Sequence, residues 1–330
     1  MGKNRLVQLK TFMLLCLFFP FIAAPRVLDS GNYTAGKYAL ELDGVMVGYL
    51  WSAEGGEPTG AVVTEKLGPD HVQRKHIGAV KYEDITITCG TSMSSAFYQW
   101  IKDTFDYKST RKNGAIVTMD YSYRVLSRMM FNNAMIKEVG FPALDASSKD
   151  TAKLTVKLAI EYSTKSNSTA PVAGGAFGPK LEKKWLPANF ILRIDGLDDA
   201  MIRVNKIDPI IIKQKIVENV VGGQRDYEKA PSSIEFPNLV VTFPESHAAS
   251  VEKWRDDFIV RNNNSEKTGS LEFLSPNLQD VYFKLTFTNL GIFKLASDKI
   301  ESGSEKIRRS KAEMYCEEMK FDVGNADIIK

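Results

Sequence analysis

The sequence predicts a mainly β chain of the α+β class, built as two similar domains in tandem with one helix in each. Three observations point to this. Short apolar-polar alternations of strand type outnumber helical stretches. The two clear helical stretches carry tryptophans, Trp100 and Trp254, that stand 154 residues apart. A segment rich in Ser, Gly and Pro lies between the halves. At 330 residues the chain is long enough for each half to bury its own core.

The elements recur in order. Tyr38-Ala39-Leu40-Glu41-Leu42-Asp43-Gly44 reads like Phe190-Ile191-Leu192-Arg193-Ile194-Asp195-Gly196, 152 residues later. In both, bulky apolar residues alternate and run into Asp-Gly, a strand followed by a hairpin turn. Tyr82-Glu83-Asp84-Ile85-Thr86-Ile87-Thr88 matches Phe236-Pro237-Asn238-Leu239-Val240-Val241-Thr242: an aromatic, two turn formers, then a β-branched strand. Residues 94–105 then place Phe97, Trp100, Ile101 and Phe105 on one helical stripe, and Val251, Trp254 and Phe258 repeat it. Phe97, Trp100, Phe105, Trp254 and Phe258 are therefore the expected core anchors.

Each half continues with a hairpin. One rises from Gly114 through Ala115–Met119 and returns through Val125–Phe131; the other rises from Gly269 through Ser270–Leu274 and returns through Val281–Phe287. Phe131-Asn132-Asn133 answers Phe287-Thr288-Asn289, and a last strand near Ala152 answers one near Ala312. Read this way, the offset grows from 152 to 160, as loop insertions in a duplicated unit would produce.

These signals place an N-terminal segment at 1–34, the first domain at 35–163, a Gly/Ser/Pro linker at 164–186, the second domain at 187–323 and a tail at 324–330. In the first segment Lys3, Arg5 and Lys10 precede the apolar run Phe12–Ala24, the pattern of a secretory signal. An apolar terminal element that docks on the fold is the other reading. Gly174–Gly178 lacks the Lys-Ser/Thr pair of a phosphate loop, so it reads as linker.

Composition narrows the function. The chain has 43 Lys and Arg against 40 Asp and Glu, a formal net charge of +3, which gives no push toward nucleic acid or an acidic membrane. Cys16, Cys89 and Cys316 form no CxxC pair, and neither a disulfide framework nor a structural zinc site is expected. The three histidines, His71, His76 and His247, have no metal-ligand spacing and no nucleophile or acid set beside them. No catalytic, cofactor or metal site is expected, and the chain reads as not an enzyme.

The long basic stretch Gly68–Thr88 leads through Lys81-Tyr82 into a strand. With the Trp100 helix, the turn Arg111-Lys112-Asn113-Gly114 and the segment Ala143–Ser148, it resembles the T4-like phage tail tube protein family. The resemblance covers about 35–163 well and 187–323 more loosely, because the second half lacks the basic stretch. It implies tail-tube-like β-barrel or sandwich domains that assemble side by side into a ring around a channel, with rings stacking into a tube. Arg74, Lys75 and His76, read as part of a loop, are the ring-stacking candidates it implies. Two domains per chain imply three chains in a pseudo-sixfold ring, with sheath- or baseplate-like proteins as partners and nucleic acid or cargo only as passengers. The particle would be phage-tail-like or contractile-injection-like, and extracytoplasmic if the N-terminus is a signal. Two alternatives stand beside it: a secreted filament or sheath subunit reusing the tube fold, and an extracytoplasmic β-barrel ligand-binding module.

Overall fold

The computed structural model describes residues 36–66, 72–172, 185–220, 227–298 and 307–324. The signal-like segment, His71 and Gly174–Gly178 lie outside the described residues. All the described elements fall in one compact unit, Ala35–Lys330.

The first half runs β1 (Lys37–Leu42), β2 (Val45–Glu54), β3 (Pro58–Lys66), β4 (Gln73–Tyr82), β5 (Ile85–Met93), α1 (Ser95–Phe105), β6 (Lys112–Met119), β7 (Val125–Phe141), β8 (Leu144–Asp145), β9 (Leu154–Ala159) and β10 (Tyr162–Ser166). The second runs β11 (Phe190–Ile194), α2 (Asp198–Met201), β12 (Lys206–Ile207), β13 (Ile210–Val220), β14 (Tyr227–Glu235), β15 (Leu239–Pro244), a 3₁₀ turn at Glu245–His247, α3 (Ala249–Arg255), a π turn at Asp256–Val260, β16 (Lys267–Leu274), β17 (Val281–Ser297) and β18 (Arg309–Val323). The fold is mainly β, as the alternation predicts.

Strands β7, β6, β1, β2, β5 and β9 lie side by side, and β9 returns to β7, so they close into a barrel. Closure leaves no edge between these six strands. In the second half β11, β16, β17, β18, β15 and β12 follow the same succession without closing, a half-barrel. The reason lies in the turn. Asp43 and Gly44 both adopt positive φ, 49° and 84°, the two-residue turn that folds β1 back on β2. At the matching place only Gly196 does so, at 73°. Leu197-Asp198-Asp199-Ala200-Met201 then winds into α2, whose Asp198 and Asp199 sit favourably in its first turn and whose Ala200 and Met201 are buried. The expected second hairpin is therefore absent, and the second half carries a short helix beyond the one expected.

Elsewhere the halves repeat each other's pairings. β6 pairs β7 with Gly114 opposite Phe131, and β16 pairs β17 with Gly269 opposite Phe287. Asn133 and Asn289 both stand in the left-handed region, at φ 51° and 53°. Their side-chain amides donate to Glu161 at 2.7 Å and Glu317 at 2.8 Å. The last strand departs from the sequence reading. Ile87 faces Val156 and Val241 faces Ala312, so Ala312 corresponds to Val156 and not to Ala152. The offset there is 156 (312 minus 156) and does not grow to 160.

The halves are stitched together by strand exchange. Ile210–Lys213 of β13 pairs antiparallel with Glu138–Phe141 of β7, which adds a second-half hairpin to the first-half sheet. In return β8 pairs β12, extending the second-half sheet. Aromatic residues fill the seam. Phe141 stacks on Phe273 with ring centroids 5.3 Å apart, Tyr98 lies 5.3 Å from Phe283, and Phe105 sits 5.7 Å from Phe321. Trp185, fully buried, packs edge-on against Phe273 and Phe283. Aromatic pairs in such geometry add to their area burial.

Candidate assembly surface

α1 begins at Ser94, whose hydroxyl accepts from the Phe97 N–H, and it buries Phe97, Trp100, Ile101 and Phe105 on one stripe. Trp100 is 1% exposed and donates its indole N–H to the Thr110 carbonyl at 2.9 Å, so its one polar atom is satisfied. Trp254 repeats this in α3, donating to the Ser265 carbonyl at 3.2 Å. Phe258 is partly buried, with its ring 6.1 Å from Trp254.

Arg74, Lys75 and His76 lie in β4, not in a loop. Lys66–Thr64 and Gln73–Lys75 pair strand to strand, because Val62, Val63 and Thr64 supply the β-branched half of a hairpin. The β3–β4 ribbon is a separate two-stranded sheet, and Val62 and Ile77 on it are each 61% exposed. Two strands alone are marginal in water, and this ribbon holds apolar side chains open to solvent. Its base is tied to the second half. Lys81 meets Glu218 at 2.8 Å and lies 5.0 Å above the Tyr227 ring. The hydrogen bond from Lys81 holds the Glu218 carboxyl below the usual range.

Beside it a partly buried polar cluster links the same two parts. Arg111 reaches Glu161 at 3.0 Å and donates to the Lys229 carbonyl, while the Lys229 N–H donates to Glu161 at 2.8 Å. Lys229 itself is buried, which pushes its ammonium below the ordinary value. Lys81 and Arg111 stood out in the sequence only through the family resemblance, and nothing there marked Glu161, Glu218 or Lys229 as their partners, since ion pairs between distant strands leave no local period.

Two cavities open on the first half. One, of about 740 Å³, is walled by Met46, Tyr49, Met119, Val125 and Val172, with Asp120 and Arg124 at its rim bound to each other at 2.8 Å. The other, of about 310 Å³, is lined by Tyr38, Ile116, Thr118, Ser127, Met129 and Lys165 among others. His247 sits against Asp199 at 3.1 Å. Among the described residues no three His, Cys, Asp or Glu side chains stand together as metal ligands. Cys89 and Cys316 are both buried. Burial pushes the Cys316 thiol up to about 11. No helix among the described residues is long and apolar enough to cross a membrane.

Residues 34–164 match the family model of the T4-like virus tail tube protein gp19. Over these residues the chain is similar to the T4-like tail tube family. The closed barrel, α1 and the β3–β4 ribbon all lie within the matched residues. Solved structures similar to the chain include the following three. The anti-feeding prophage tube-terminating cap is 20% identical, covers 46% of this chain and 100% of its own, and gives a TM-score of 0.38. The sheath/tube terminator of an extracellular contractile injection system, PVC, is 15% identical, covers 41% and 96%, and gives 0.36. Hcp1 from Flavobacterium johnsoniae is 14% identical, covers 41% and 95%, and gives 0.25. No curated protein matches the sequence.

Proposed function

We propose that the chain is a structural, non-catalytic subunit of a phage-tail-like or contractile-injection-like apparatus, and that three copies close a pseudo-sixfold ring. The observation that carries the reading is the recurrence of the tail tube domain's own strand succession in the second half. β1, β6, β7, β9 and β5 neighbour one another in the first half as β11, β16, β17, β18 and β15 do in the second. We read the two halves as tandem tube domains, 35–163 and 187–323, with 164–186 joining them. Two similar domains joined head to tail make one step of a rotation, and repetition of that step closes a ring. Sheath- or baseplate-like proteins are the expected partners. Arg74, Lys75 and His76 on the exposed ribbon are the expected contact to the next ring. Electron microscopy of the purified chain tests this: rings or tubes of uniform bore support it, and dispersed single chains at high concentration overturn it.

Lys3, Arg5, Lys10 and the apolar run Phe12–Ala24 support export of the chain. The mass of secreted material should then lack roughly the first 24–35 residues. Recovery of intact Met1 on assembled protein would contradict export. The reading as an extracytoplasmic binding module draws on one observation, the cavity of about 740 Å³ with mainly apolar walls. Its rim charges, Asp120 and Arg124, are spent on each other, which leaves few groups to orient a ligand.

A further inference from the structure

The seam between the halves is a template for a second seam between chains. In the first seam the end of α1 presses Phe105 against Phe236 and Phe321, and Phe273 and Phe283 receive Phe141 and Tyr98. Each receiving residue has a counterpart in the first half, fixed by register. Phe273 faces Phe283 as Thr118 faces Ser127, and Phe321 faces Leu285 as Lys165 faces Met129. Those first-half counterparts, Thr118, Ser127, Met129 and Lys165, line the open cavity of about 310 Å³. The surface that is filled in the second half is thus vacant in the first.

The inserting side has a counterpart as well. Phe105 stands five residues beyond Trp100; five and six residues beyond Trp254 stand Ile259 and Val260, the last two residues of the π turn Asp256–Val260. A π turn holds one extra residue. That agrees with the partner of the tryptophan N–H shifting from ten residues on, Thr110, to eleven residues on, Ser265. Ile259 and its neighbour Val260 are 46% and 75% exposed, apolar residues at a place that is buried in α1. Charge agrees. Glu235 holds the place in β14 that Lys81 holds in β4, by their pairing with Lys213 and Thr59. Glu218 of the first seam corresponds to Thr64, whose register partner is the exposed Lys75. An acid on the second half would therefore meet the basic ribbon of the first.

We propose that a second copy of this chain seats Ile259 and Val260 against Lys165, the counterpart of Phe321, at the cavity that Thr118, Ser127 and Met129 also line, repeating between chains the contact that joins the halves within one. The inference rests on the ring reading and names its seam. The backbone contribution differs between the two seams. β17 leaves Lys294–Ser297 paired only with β18 among the described residues, as an edge equivalent to Glu138–Phe141. The facing segment, however, has Pro58 where the first seam has Ile212, and proline offers no N–H to a ladder. Helix-end insertion and charge therefore carry the outer seam, and it separates before the inner one.

The test uses the full chain with the paired substitutions Lys165→Cys and Val260→Cys, oxidised and run without reductant. Covalent dimers and trimers that neither single variant forms are expected. Val260→Glu should weaken self-association about tenfold or more, read by sedimentation, with the unfolding midpoint little changed because the side chain is exposed. If Val260→Glu fails to fold, the disulfide ladder decides alone. Wild-type rings with no ladder and normal assembly of Val260→Glu would place the seam elsewhere and leave the ring standing. A bridge closed within one chain would overturn the proposal. Wild-type protein that stays monomeric overturns both the seam and the ring.

Discussion

Trp100→Ala should lower the stability of the folded chain by about 3–5 kcal/mol, the cost of removing a large buried ring whose cavity cannot fully collapse. Trp100 is 1% exposed and is held on both sides, by the α1 stripe and by its hydrogen bond to Thr110. Removing it leaves the Thr110 carbonyl without that donor as well. Trp254→Ala should behave alike, since Trp254 is 4% exposed and bonds the Ser265 carbonyl in the same way. Differential scanning calorimetry of both variants checks this. A thermal midpoint unchanged in either would mean that the tryptophan's contacts contribute little to the core.

Phe141→Ala should cost a similar amount, about 3–5 kcal/mol, but its effect should reach the whole molecule. Phe141 lies at the end of β7, stacked on Phe273 and 5.9 Å from Phe321, so it belongs to both halves at once. β13 pairs with β7 at the same residue, and β8 with β12 nearby, so opening the seam breaks backbone ladders as well as ring contacts. The halves should therefore unfold in one cooperative transition, and Phe141→Ala should move that single transition downward. Two separate transitions, with only one shifted by the substitution, would contradict a shared core.

The legible parts of the fold are those whose cause is local. Alternation in Tyr38–Leu42, the β-branched run in Leu239–Thr242, the helical stripe of Phe97, Trp100 and Phe105, and Asp43-Gly44 each encode their element within a few residues. The β3–β4 ribbon was hidden because Gly60, Gly78 and the charges of Arg74-Lys75-His76 look like loop chemistry, while both strands stay exposed and so show no apolar face. Asp195-Gly196 misleads in the opposite sense, since the residues that turn the chain into α2 follow it. The seam was not legible at all. Ile210–Lys213 reads as a strand, but nothing in it names Glu138–Phe141 as its partner, and an aromatic such as Phe321 fits a domain core and a domain junction equally well. The open cavity beside Thr118 and Ser127 is visible only when the two halves are compared in register.

Native mass spectrometry of the purified chain tests the central claim most directly. The account predicts a dominant closed species of three chains, whose averaged images show six similar lobes that are threefold on close inspection. Alternate contacts should differ, the inner one aromatic and the outer one carried by Ile259, Val260 and charge. Six chains per ring would mean that only one tube domain of each chain lines the channel, and a stable monomer at high concentration would contradict assembly altogether.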